Sequence, residues 1–67
     1  MSKITLKAAR VNAGLSQKEV AEKLEVAQST LRNWENGSTC PKLPQFMMLC
    51  RLYDVSCDNI FFEQKIS

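Results

Sequence analysis

Apolar residues along this chain recur at the helical spacing i, i+3, i+4 and nowhere keep up the alternation of a sustained strand. Cap and turn residues cut that pattern into five short segments, so the sequence predicts an all-α fold of five helices. The first runs from about Ile4 to Ala13 with Leu6, Ala9 and Ala13 on one face. It stops at Gly14, a residue type that readily takes a left-handed C-terminal position, and Leu15 returns to the core. Ser16-Gln17-Lys18-Glu19 reads as a capping box that starts the second helix, in which Val20, Ala21 and Leu24 face inward. A connection of about three residues, Glu25-Val26-Ala27, precedes a third helix from Gln28 to Glu35, which Asn36-Gly37 ends. After a linker from Ser38 to Lys42 containing Pro41, a fourth helix spans about Leu43 to Tyr53 on the stripe Phe46, Leu49, Cys50 and Tyr53. Pro44 is tolerated there because the first helical turn needs no intrahelical N–H donor. Ser56 then caps a last short helix through Phe62, packed by Ile60 and Phe61.

Length limits what these elements can build. A chain of 67 residues buries only about 60% of its unfolded surface and holds one core and one working face. Residues 1–67 are therefore read as one domain, with its core in about 4–62. No apolar run approaches the ~20 residues of a membrane span, and Met1 to Arg10 lacks the apolar stretch of a signal peptide, so a cytoplasmic location is expected. The cysteines, Cys40, Cys50 and Cys57, are three in number, form no C-x-x-C pair and have no histidine to complete a zinc set. Neither a metal site nor a disulfide framework nor any cofactor is expected. Cys50 reads as a small core hydrophobe, and a cytosolic location would keep the others reduced. Without histidine, a Gly-rich phosphate loop or a converging nucleophile, acid and base, the chain does not read as an enzyme.

Charge adds a direction. The net value is only +2, but residues 1 to 34 carry +3, with Lys3, Lys7, Arg10, Lys18, Lys23 and Arg32 against Glu19, Glu22 and Glu25. The basic half holds two short helices joined by a three-residue turn, over residues 16 to 36, the helix-turn-helix arrangement in which the second helix enters the major groove. On that second helix Val26, Ala27, Leu31 and Trp34 fall toward the core, while Gln28, Ser29, Arg32, Asn33 and Asn36 recur on the other side. Gln and Asn amides pair bidentately with adenine N6 and N7, and Arg with guanine O6 and N7. A face that only solubilises the helix would favour Glu and Lys. Ser16, Gln17 and Lys18 stand at a helix N-terminus suited to a phosphate, and Asn36, Lys7, Arg10 and Lys42 are further candidates for the DNA backbone.

The residues Leu15-Ser16-Gln17, Ala21, Trp34-Glu35-Asn36-Gly37, the proline that follows and Val55-Ser56 together resemble the lambda-repressor-like helix-turn-helix family, the Cro and Xre group of phage and bacterial regulators. The resemblance covers roughly residues 4 to 62. It implies a compact five-helix domain that controls transcription, commonly as a repressor, by binding a palindromic operator in double-stranded DNA as a homodimer, whether preformed or assembled only on DNA. Carried over by position, it implies base reading by Gln28, Ser29 and Asn33 with Arg32 beside them, and backbone contacts by Gln17 and Asn36. It also implies an ion pair between Arg10 and Glu35, which makes Arg10 structural ahead of a phosphate clamp.

Three positions depart from the family pattern. Glu25 stands where glycine is common, Ala27 where a capping Ser or Thr is usual, and Lys42 where a capping serine is common. An alternative function uses the same fold as a protein-interaction module, an antitoxin or anti-repressor. Its sign would be an exposed apolar patch at Phe62 and Ile66 or at Met47 and Met48, residues that could equally form a homodimer seam, while the two methionines could simply fill core gaps.

Overall fold

The computed structural model describes residues 3–61, which form four α-helices: α1 Leu6–Asn12, α2 Gln17–Leu24, α3 Gln28–Glu35 and α4 Leu43–Tyr53. Two two-residue strands, β1 Ile4–Thr5 and β2 Ile60–Phe61, pair in parallel with Ile4 opposite Ile60 and Thr5 opposite Phe61. A single 3-10 turn, Cys57–Asn59, precedes β2.

The expected fifth helix is therefore absent among the described residues. Ser56 caps the segment as anticipated, its hydroxyl accepting from the Asp58 N–H, but Asp58 and Asn59 compete for backbone hydrogen bonds. The β-branched Ile60 and the aromatic Phe61 then favour an extended chain, which finds a partner in β1. The same pairing shortens the first helix. Ile4 and Thr5 are extended, and Thr5 becomes the cap of α1, its Oγ1 accepting from the Ala8 N–H at 3.1 Å.

Each remaining boundary follows local chemistry. Gly14, at φ 75°, lets the Leu15 N–H turn back to the Arg10 carbonyl and close α1. The capping box of α2 is complete, with Ser16 Oγ accepting from the Glu19 N–H and Glu19 Oε1 accepting from the Ser16 N–H, both at 3.0 Å. Gly37, at φ 84°, ends α3 and allows the Ser38 N–H to reach the Asn33 carbonyl at 3.0 Å. Pro44 sits in the first turn of α4.

The core gathers residues from every helix and from β2: Leu6, Ala9, Val20, Leu31, Trp34, Leu49, Cys50, Tyr53 and Ile60. Ala21 of α2 is also buried, and its carbonyl accepts from the Val26 N–H at 3.0 Å in the turn toward α3. Three inward expectations fail. Ala13 is exposed because it already lies in the turn after α1, Ala27 because it is the N-cap of α3, and Phe61 because only its neighbour Ile60 points into the core. Met47 and Met48 are about half exposed, at 50% and 48%, and do not fill a core gap. Phe62 and Ile66 lie outside the described residues. No described helix is long and apolar enough to cross a membrane, and no group of three or more potential metal-ligating side chains occurs among the described residues.

Candidate nucleic-acid interface

α3 presents two faces. Leu31 and Trp34 are buried, whereas Gln28, Ser29, Arg32, Asn33 and Asn36 are all exposed. The division follows from 3.6-residue periodicity, and it leaves the four side chains of Gln28, Ser29, Arg32 and Asn33 on one solvent-facing surface.

The connection into α3 combines two unusual features. Glu25 is left-handed, at φ 57° and ψ 43°, so the turn does require the conformation that glycine would supply freely. Ala27 is the N-cap of α3 and offers no side-chain oxygen, so the first-turn amides receive no side-chain cap. Capping is thus strong where α2 starts and missing where α3 starts.

Behind α3 lies a polar cluster that holds it from its inner edge. Arg10 of α1 donates from Nε to Glu35 Oε2 at 2.7 Å and from Nη2 to Glu35 Oε1 at 3.4 Å, and its Nη1 donates to the Leu15 carbonyl at 2.8 Å. Gln17, the first residue of α2, donates from Nε2 to Glu35 Oε1 at 3.0 Å. The pair is nearly dry, with side-chain exposure of 11% for Arg10 and 3% for Glu35, which puts it among buried ion pairs in energetic terms. Tyr53 of α4 lies close enough to feel both charges: burial foremost, then the Glu35 carboxylate, push its phenol above the ordinary value, and Arg10 opposes them. Arg10 of α1 and Gln17 of α2 thus converge on one carboxylate at the end of α3, while the Leu15 carbonyl holds Arg10 and the buried Tyr53 hydroxyl makes no hydrogen bond among the described residues.

Lys7, Gln17, Arg32, Glu35 and Asn36 line an open hollow of about 350 Å³ on the surface above this cluster. Arg10 already occupies the Glu35 charge, so the hollow's rim is set by the exposed Lys7 and Arg32 cations. Asn36 is the C-cap of α3, and its Oδ1 accepts from the Ser38 N–H at 3.0 Å, which fixes the side chain at the mouth of the hollow. Ser16 and Lys18 flank Gln17 at the start of α2 and do not line the hollow; Ser16 Oγ already accepts from the Glu19 N–H. Lys42 is the exposed N-cap of α4 and does not line the hollow; its N–H donates to Gln45 Oε1 at 3.2 Å.

The elements that sequence reasoning missed are tertiary. Nothing local marks Gln17 as a partner of Glu35, Leu15 as the acceptor for Arg10, or Tyr53 as their neighbour. Arg32 carried a local signal for base reading, but its place on the wall of the hollow depends on how α1 and α2 pack behind α3.

The chain is similar to known helix-turn-helix proteins. A Helix-turn-helix family model matches residues 6–60. The chain is 39% identical over 62 residues to the HTH-type transcriptional regulator ImmR of Bacillus subtilis strain 168, covering 92% of this chain and 49% of that protein. It is 41% identical over 46 residues to an uncharacterized HTH-type transcriptional regulator of the same strain, YobD, covering 69% of this chain and 41% of the relative. The chain thus spans about half the length of the curated relatives it matches or less.

Proposed function

The chain belongs to the helix-turn-helix family, of the Cro and Xre type, and from that membership we propose that it is a sequence-specific DNA-binding transcriptional regulator reading the major groove with α3. Its simplest output is repression by occupying an operator. The observation that carries the reading is the exposed face of Gln28, Ser29, Arg32 and Asn33 on a helix anchored from behind by a buried ion pair. Such a helix presents amides and a guanidinium with the donors and acceptors that base edges require, on a rigid mount.

The flanking groups supply register. Lys7, Gln17 and Asn36 around the hollow, with Ser16 and Lys18 at the start of α2, form the backbone-contacting set, and Lys42 extends it toward α4. In this reading Arg10 and Glu35 touch no DNA and hold α3 in place. Residues 1–67 act as one DNA-binding unit. Two copies bind a palindromic operator with half-sites about one helical turn, roughly 34 Å, apart, and the half-exposed Met47 and Met48 are among the exposed apolar side chains of the described residues, with Val11, Leu43 and Phe61, that are available to a dimer seam. A selection from random duplexes tests the proposal: one enriched, near-palindromic motif is expected, and recovery of no motif overturns sequence-specific binding.

A further inference from the structure

The last turns of α2 and α4 meet around an open hollow of about 360 Å³, lined by Lys23 and Leu24 of α2 and by Met48, Arg51 and Leu52 of α4. Each helix stops beside it on a left-handed residue, Glu25 at φ 57° and Asp54 at φ 56°, and the next residue, Val26 or Val55, packs back on the core instead of extending the helix. Leu24 and Leu52 are half-buried against the core and make the floor, while Met48 is half-exposed and makes a wall. Met48, Arg51 and Leu52 share one side of α4 at the spacing i, i+3, i+4. The lining holds two cations, Lys23 and Arg51, and no acid. Both are exposed, and neither forms an ion pair among the described residues; Glu19, one turn before Lys23, is hydrogen-bonded to Ser16 instead.

We propose that this hollow docks an amphipathic helix of another protein, apolar on the side it inserts and acidic at its edges. An apolar floor under a cationic rim is complementary to apolar anchors three or four residues apart with Asp or Glu beside them. Met48 suits the wall of such a groove, because its flexible, polarizable side chain adapts to the anchor it meets. The hollow is too open to enclose a small molecule, whose pocket ordinarily buries about 70–90% of the ligand surface. A second copy fits worse: a two-fold seam centred here sets the Lys23 and Arg51 of one copy against the same two cations of the other. Two cations also fall short of the roughly four to eight that read as an anionic-membrane site. The hollow shares no residue with the set proposed to contact DNA, so partner and duplex engage separate residues and neither reading depends on the other.

The test selects displayed random peptides of about 12 residues, roughly three helical turns, on the natural full chain, with counter-selection on Lys23→Glu/Arg51→Glu. Surviving peptides are expected to carry apolar pairs three or four residues apart flanked by Asp or Glu. Made synthetically, such a peptide shifts the backbone amides of Leu24, Met48 and Leu52 and binds Lys23→Glu/Arg51→Glu about tenfold more weakly; replacing its acids by Lys restores binding to that variant. Met48→Glu, at a half-exposed position, repeats the loss by making the wall polar and acidic. No surviving peptide, a basic consensus, shifts confined to α3, or equal affinity for the natural chain and both variants overturns the proposal. So does self-association, or binding to phosphatidylserine vesicles, that the same substitutions abolish, since the hollow then takes a second copy or a lipid surface.

Discussion

α2 and α3 are both eight residues long, lie next to each other in sequence and pack together, yet the molecule secures them in opposite ways. α2 is fastened at its N-terminus by two reciprocal 3.0 Å hydrogen bonds between Ser16 and Glu19. α3 has no side-chain cap; it is fastened along its inner edge by Leu31, Trp34 and the Glu35 cluster. The difference teaches how a helix can be rigid and still keep one end available. With Ala27 supplying no cap, the hold on α3 comes from the side away from Gln28, Ser29, Arg32 and Asn33, and that face stays exposed.

The sharpest way to break the contrast is to remove the inner anchor. Glu35→Ala leaves the nearly buried Arg10 guanidinium without its carboxylate and Gln17 without its acceptor. A cost of about 3–5 kcal/mol is expected in denaturant unfolding, of the same order as the whole stability of a domain this size. A loss under about 1 kcal/mol would show that α3 is not held from behind.

The turn between the helices offers a smaller effect of opposite sign. Glu25 is left-handed, which costs a non-glycine residue roughly 1–2 kcal/mol, while glycine adds conformational entropy to the unfolded chain. Glu25→Gly is therefore expected to raise stability by about 0.5–1 kcal/mol, read as a higher denaturant midpoint at unchanged slope.

Swapping the two helix starts sharpens the comparison. Ser16→Ala removes a working cap and should cost about 1 kcal/mol, whereas Ala27→Ser should add up to that amount, because the N-cap of α3 is extended and already has the geometry a serine needs. If Ala27→Ser leaves the thermal midpoint unchanged, the start of α3 is not limited by capping.

The smallest effect is a pH dependence. The Ser16 N–H, and then its hydroxyl, hold the Glu19 carboxyl below its ordinary value of 4.5. For a carboxyl lowered in the fold, the stabilisation is present above the unfolded value and is lost as pH falls through the folded one. The stability difference between the natural chain and Glu19→Gln should thus be constant at neutral pH and shrink below 4.5. A difference that stays constant through that acid range would show that the ionised form is not what caps α2.

What could be read along the chain, and what could not, divides between local and distant causes. The bounds of α3 and the starts of α2 and α4 are legible because Ser16-Gln17-Lys18-Glu19, Asn36-Gly37 and Pro44 act within a turn of themselves. The exposed face of α3 is legible because helical periodicity alone separates Leu31 and Trp34 from Gln28, Arg32 and Asn33. The 3-10 turn and β2 are not, since Ile60 and Phe61 satisfy a helical pattern as well as an extended one, and the choice is made by Ile4 and Thr5 far away in sequence. The Gln17 and Tyr53 contributions to the Glu35 cluster are hidden for the same reason.

The measurement closest to the central claim is equilibrium binding of the natural chain, Gln28→Ala, Asn33→Ala and Lys7→Ala to a selected operator and to its single-base variants over a range of salt. Gln28→Ala and Asn33→Ala are each expected to lose roughly 1–3 kcal/mol of discrimination at a particular base pair. Lys7→Ala, by contrast, weakens every duplex alike and lowers the salt slope by about 1. Equal binding of the natural chain to all duplexes, or a uniform loss in Gln28→Ala and Asn33→Ala like that of Lys7→Ala, would contradict the central claim.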